Sequence, residues 1–393
     1  MKRTLYIVLI LSGAMACVEP FDFTVQDTEE FIVVEGLLTN AKTHHRVHLS
    51  KSYSIEGGES KSVSGATVWV EDGQSKKYTF DETNVAGEYL SMQEFAGVPG
   101  EQYTLRVITP EGDELQSSAE ILPVPVAIDS IYGRYMEQNS TEDDRYQKGI
   151  QFMVDNHNAS EQFSSYRFEY VEDYEIKVPY PSIYEWDVVA DTLVLRSVAI
   201  GTCYNFRVSN QLLTETTSGL SENRLSEYPI VYVEDYEAPL RSRYSLTVRQ
   251  FAITSGAYQY YKSLKENNES SGSFFDKQKG TVVGNVKHVD DPGYTVLGYF
   301  EVSGVSENYR IFTAGEFRQQ GFSTTATYFD CIYAQEVDSV ALTDLRSLVG
   351  GELGYSKEVI GLTYPIPDTA LLMPKECSDC RLKGTLDKPD FWD

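Results

Sequence analysis

From Phe31 to Leu122 apolar and polar residues alternate in short runs separated by turn residues. FIVVEGLLT is rich in β-branched residues. In RVHLSKSY, Val47, Leu49 and Lys51 fall on one face, His48 and Ser50 on the other. ATVWVEDG sets Val68 and Val70 opposite Thr67 and Trp69, and KYTFDET, AGEYLSM and QYTLRVITPEG continue the pattern. A period of two residues is the signature of a strand with one buried face. Turn signals recur at Gly57-Gly58, Asp72-Gly73, Ala86-Gly87, Pro99-Gly100 and Glu111-Gly112. Short strands punctuated in this way predict a β-sandwich over residues 31–123.

Pro123 and Pro125 in ILPVP stiffen a short crossing, and the next strand is expected near Asp129, so a domain boundary falls there. The second domain, residues 127–393, is also strand-rich: KGIQFMVDN, SYRFEYVEDYEI, YSLTVRQFAI, VLGYFEVSGV and NYRIFTA each read as a strand. SGAYQYYKSLKENNE, from Ser255, differs. Tyr258, Tyr261 and Leu264 share one face at helical spacing, which predicts an amphipathic helix that packs on the sheet and ends in the loop NNESSGS. The fold class is therefore all-β, with two domains and one helix. The order GATVWVEDG, GEYLS, GVPGEQYTLRV in the first domain resembles Ig- and transthyretin-like (carboxypeptidase-regulatory) sandwiches.

The N-terminus adds location. In MKRTLYIVLILSGAMAC, Lys2 and Arg3 precede the apolar run Thr4 to Leu11, too short to span a bilayer and suited to a secretory signal over residues 1–16. Ala14-Met15-Ala16-Cys17 resembles a bacterial lipobox, which implies that Cys17 carries the lipid and begins the mature chain. An acyl anchor contributes about 0.8 kcal/mol per buried CH₂, so it holds a soluble body at a membrane. Residues 17–30, VEPFDFTVQDTEE after the cysteine, read as an acidic tether and resemble a surface-export signal. The formal net charge is −26. A strongly acidic chain repels nucleic acid and anionic headgroups, so no nucleic-acid partner is expected.

Four cysteines remain: Cys203, Cys331, Cys377 and Cys380. In an oxidising compartment an even number predicts structural disulfides, and four cysteines allow three pairings. Cys377–Cys380 would close a tight loop; Cys203–Cys331 would be a long staple. KECSDC (Lys375 to Cys380) lacks the second close pair or histidine of a zinc site and the strand-to-helix setting of a redox pair, so it reads as a staple of the C-terminal tail.

Candidate chemistry is sparse. His44 and His48 of HHRVH would sit about 13 Å apart on a strand, too far to share an ion, and read as an exposed patch. VDDPG (Val289 to Gly293) reads as a turn rather than a calcium loop. The hexapeptide YVEDYE occurs at Tyr170–Glu175 and Tyr232–Glu237 and reads as two strand ends. No nucleotide-binding, zinc-protease or serine-hydrolase motif is present in the sequence. The expectation is a non-enzyme without cofactor or metal; a hydrolase with an unrecognised acidic site is the distant alternative.

The lipoprotein start, FIVVEGLLT, SGATVWVED, FAGVPGEQYTLRV, ILPVP before IDSIY, YSLTVRQFAIT, VVGNV, VLGYFEVSGV and CSDCRLKGTLDKPDFW together resemble Bacteroidota outer-membrane lipoproteins often encoded beside TonB-dependent receptors. The resemblance implies location and company rather than a reaction. Cys17 matches the family's lipidated cysteine, and Cys377 and Cys380 its terminal pair. It implies a lipid-anchored outer-membrane protein, at the cell surface, that serves a TonB-dependent receptor as accessory or ligand-capture partner. A stand-alone adhesin or glycan-binding module is the alternative.

Overall fold

The computed structural model describes residues 30–52, 61–139, 146–159, 164–187, 189–235, 237–270, 281–323, 331, 338–345, 357–362 and 368–392. The signal peptide, Cys17 and all of the acidic tether except Glu30 lie outside the described residues. The fold is all-β and sandwich-like. In chain order the first strands are β1 (Ile32–Thr39), β2 (Arg46–Lys51), β3 (Lys61–Ser62), β4 (Thr67–Asp72), β5 (Lys77–Glu82), β6 (Glu88–Ser91), β7 (Gln102–Ile108), β8 (Glu114–Ser117) and β9 (Glu120–Ile121). Then follow β10 (Ile128–Asn139), β11 (Tyr146–His157), β12 (Ser165–Lys177), β13 (Tyr184–Asp187), β14 (Thr192–Leu195), β15 (Thr202–Val208), β16 (Leu213–Thr216), β17 (Arg224–Glu234) and β18 (Arg243–Ile253). Helix α1 (Ser255–Ser270), β19 (Val286–His288), β20 (Val296–Thr313), α2 (Ala314–Arg318), β21 (Asp338–Ala341), β22 (Lys357–Leu362), β23 (Thr369–Pro374) and α3 (Lys375–Ser378) complete the chain.

One continuous sheet runs β15-β12-β18-β20-β1-β2-β6-β5-β4-β7-β8-β19. Its N-terminal half encloses a core of Val34, Leu49, Val68, Val70, Leu105 and Val107, each at most 1% exposed. Val286, Val296, Phe300 and Val302 enter this same core from far along the chain. The sandwich begun by residues 31–123 is thus completed by β19 and β20. The second half of the sheet packs against the three-stranded sheet β10-β11-β17. Phe152 sits centrally between them, with its ring 4.7 Å from that of Tyr244 and 4.9 Å from that of Phe312.

Strand β20 joins the two halves. Residues Val296–Ser303 pair parallel with β1, and Gly304–Thr313 pair antiparallel with β18. The sequence pattern suggests two strands here because Ser306-Glu307-Asn308 is polar. The structure makes one, because those residues still have ladder partners in Gln250, Arg249 and Val248. Gly298 sits within it at φ +88°, and a Cβ there would lie 2.1 Å from the Val34 carbonyl oxygen. Only glycine permits that approach.

Helix α1 runs through Asn267 and Asn268 to Ser270, into the stretch the sequence suggests as a loop. The Thr254 hydroxyl receives the Ala257 N–H at 3.2 Å, capping its start. Its tyrosine face lies on the sheet, against Phe251, Ile253 and Tyr299.

The two YVEDYE copies meet at one cation. Arg207 donates to Glu237 at 2.6 Å and lies 5.4 Å from the Tyr174 ring centroid. Glu172, beside it, is buried and receives the Tyr244 hydroxyl at 3.0 Å. Burial pushes its carboxyl above the ordinary 4.5, and the Arg207 charge and the Tyr244 hydroxyl offset this only in part. Such a group binds protons more tightly folded than unfolded, so its contribution is favourable at low pH and is lost as pH rises above about 4.5. Glu172→Gln is expected to raise the thermal midpoint by a few degrees at pH 7, with the gain vanishing near pH 4. Scanning fluorimetry at both pH values checks this; a loss of stability at pH 7 would show that the charge is needed.

Candidate functional site

An open cleft of about 590 Å³ lies on the face of the main sheet opposite its cores. Strand register builds its floor. Glu88, His48, Glu35 and Tyr299 form one row across β6, β2, β1 and β20. Arg46, Leu37 and Glu301 lie in the next row. These positions alternate with core residues: Val47 and Leu49 flank His48, Val34 precedes Glu35, and Phe300 separates Tyr299 from Glu301. The two-residue period that buries one set therefore presents the other to the cleft.

Helix α1 forms the wall through Tyr260, Tyr261 and Leu264. Tyr260 lies 5.0 Å from Tyr299 and 5.4 Å from Tyr261, ring centroid to ring centroid. Glu120 on β9 fixes this wall from below. It accepts hydrogen bonds from Thr254 at 2.8 Å, Asn285 at 3.1 Å and Tyr299 at 3.2 Å. The start of the helix, the loop before β19 and the cleft tyrosine are thereby tied to one carboxylate.

At the inner end Arg167 reaches from β12 to Glu301. Its Nε donates to Glu301 Oε2 at 2.9 Å and its Nη2 to Oε1 at 3.1 Å, a bidentate pair. Nη1 donates to Glu169 at 2.5 Å, and Tyr261 donates to Glu301 Oε2 at 2.5 Å. The side chains of Arg167 and Glu301 are only 10% and 2% exposed. The guanidinium also lies 4.1 Å from the Phe251 ring centroid and 5.5 Å from that of Tyr261. Burial alone would lower its pKa, but the charge and hydrogen bonds of Glu301, with Tyr261 and Glu169, together outweigh that and hold it above the ordinary range. Burial and then the Glu301 charge push Tyr261 upward. Burial and the Glu35 charge push Tyr260 up to about 12. Both phenols are protonated at neutral pH, and Tyr261 donates its hydrogen bond to Glu301. The cleft presents donors, carboxylate acceptors and aromatic faces, a set suited to binding.

The histidines separate. His48 lines the cleft, 3.5 Å from Glu35. His45 is buried instead of exposed, with Nε2 2.9 Å from the Phe95 carbonyl and its ring edge-on to Phe95. The strand begins only at Arg46, so alternation does not extend back to it. Among the described residues no three His, Cys, Asp or Glu side chains converge as a metal site. VDDPG is a turn in which Asp291 receives the Gly293 N–H at 2.8 Å.

The cysteines pair as Cys203–Cys380 and Cys331–Cys377. Of the three pairings the sequence leaves open, the structure takes neither the Cys377–Cys380 loop with its Cys203–Cys331 staple nor Cys203–Cys377 with Cys331–Cys380. Cys377 lies in α3, whereas Asp379 takes an extended conformation and turns Cys380 toward β15. KECSDC is a double clamp, with each cysteine gripping a different part of the chain. Sequence reading did not find the cleft. Its signals were the polar outward positions of β1 and β2 and the tyrosine pair on the helix, whose convergence depends on β20 crossing between the two halves.

A family of domains of unknown function, DUF4249, matches residues 18–308. No curated protein matches the chain. Among solved structures, a DUF4785 family protein from Legionella pneumophila aligns at 9% identity and TM-score 0.19, covering 56% of this chain and 52% of that one. A biofilm-associated protein BSP domain aligns at 7% identity and TM-score 0.12, covering 71% and 58%. The chain thus spans less than two thirds of the length of each of these two structures.

Proposed function

The chain belongs to the DUF4249 family, and from that premise we propose that it is a non-catalytic, lipid-anchored outer-membrane protein that captures a ligand for a TonB-dependent transporter. The observation that carries the capture role is the cleft at the seam of the sheet, where mixed polar groups and tyrosines are held in place from beneath. The lipobox-like Ala14-Met15-Ala16-Cys17 supports the anchor. The acidic tract after Cys17 supports the cell-surface side. The sequence resemblance supports the transporter as partner.

Two measurements test the reading. The tagged, lipidated protein is solubilised gently from its native membrane and its companions are identified by mass spectrometry. A stoichiometric TonB-dependent receptor is the expected result; the protein emerging alone would favour a stand-alone binding module. In parallel, Cys17→Ser is expected to move the protein from the membrane to the soluble fraction. Unchanged fractionation would overturn the anchor.

A further inference from the structure

Resting on the reading of the cleft as the capture site, we infer that its ligand presents an organic cation, a guanidinium or primary ammonium group. The cleft's charges do not balance. Glu35, Glu88, Glu169 and Glu301 line it against Arg46 and Arg167, an excess of two negative charges. Arg167 is occupied by Glu301 and Glu169, and Arg46 lies 3.6 Å from Glu88. Among the described residues the ion-pair partner of Glu35 is His48, which is cationic only when protonated. Its side chain is 68% exposed. The chain as a whole, at net charge −26, reinforces the attraction for a cation.

The fold already holds one guanidinium in this chemistry. At the inner end, Arg167 is gripped by a carboxylate and lies over the faces of Phe251 and Tyr261. The outer end repeats the ingredients: the carboxylate of Glu35 and the ring of Tyr260, which is backed by the buried Tyr299 at 5.0 Å. A cation over an aromatic face and beside a carboxylate gains from both. A neutral sugar would use the rings but leave the charge excess without a role. A cleft of this volume admits a small ligand or a single extended side chain with its flanking backbone.

The test uses the full-length lipidated protein in detergent and isothermal titration. The probes are acetyl-Gly-Arg-Gly-amide, its neutral citrulline isostere, agmatine and maltohexaose. The arginine peptide is expected to bind saturably at one site, while the citrulline isostere does not. Agmatine binding as tightly as the peptide would assign the free amine as the source; tighter peptide binding would assign a peptide. Glu35→Gln is expected to weaken the peptide about tenfold, as loss of a charge-assisted hydrogen bond does. Glu114→Gln, an exposed carboxylate on β8 outside the cleft, should leave binding unchanged. Equal weakening by both variants would assign the binding to the diffuse charge of the chain and overturn the site. Equal binding of the citrulline peptide, or binding of maltohexaose lost in Glu35→Gln, would overturn the cation class. Failure of every cationic probe would do the same, yet a transporter that still co-purified would leave the capture reading standing.

Discussion

Arg167→Met is expected to destabilise the protein by about 3–5 kcal/mol, the usual result of stripping one partner from a buried ion pair. The methionine matches the arginine stem in bulk, so the effect is electrostatic rather than a cavity. Glu301, 2% exposed, would lose both guanidinium bonds and retain only the Tyr261 hydroxyl among its hydrogen-bond donors described above. The double variant Arg167→Met with Glu301→Leu should recover most of the loss, because burying two apolar groups leaves no charge uncompensated. Denaturant unfolding of both single variants and the double closes the cycle. If Arg167→Met unfolded at the wild-type midpoint, Glu301 would have to reach water in the folded protein. Arg167→Lys keeps the charge but not the fork, and should fall between.

Opening the Cys203–Cys380 bridge by Cys203→Ala with Cys380→Ala should produce a comparable loss. The bridge closes a sequence separation of 177 residues. In the chain-entropy description a loop of that size corresponds to about 5 kcal/mol, an upper value because the denatured chain retains some structure. The bonds it supports are specific. Cys380 N–H donates to the Ile200 carbonyl at 3.0 Å, and Tyr204 exchanges two 2.8 Å bonds with Thr385 beside it. The tail beyond Cys380 would lose its clamp on the edge strand β15, and Trp392, fully buried near Tyr204, would be the local reporter. Tryptophan fluorescence and denaturant unfolding check both parts. The Cys331–Cys377 bridge spans 46 residues and should be worth about 4 kcal/mol on the same reasoning. Intact-mass analysis after alkylation, without and with reduction, should count two disulfides; labelling of all four cysteines before reduction would remove the clamp altogether.

Local pattern carried much of the architecture. The alternation in RVHLSK and TVWVED put Val47, Leu49, Val68 and Val70 in the core, as the structure does. The tyrosines at helical spacing marked α1, because a 3.6-residue period can be read from adjacent positions alone. What local pattern could not resolve was pairing over distance. The outward residues of β1 and β2 look like an ordinary solvated face until β20 is laid beside β1. Gly298 permits that contact, but a glycine in a strand does not announce its neighbour.

By itself the sequence determined an all-β chain, its principal helix and cysteines suited to disulfides. Each rests on periodicity, composition or count, which are properties of neighbouring residues. The tertiary structure alone decided that Arg167 meets Glu301, 134 positions away, that Cys203 meets Cys380, and that β20 completes the first sandwich while belonging to the second. Long-range partners are chosen by which closed loops bury the most apolar surface while satisfying every buried polar group. That choice is a property of the whole packed chain.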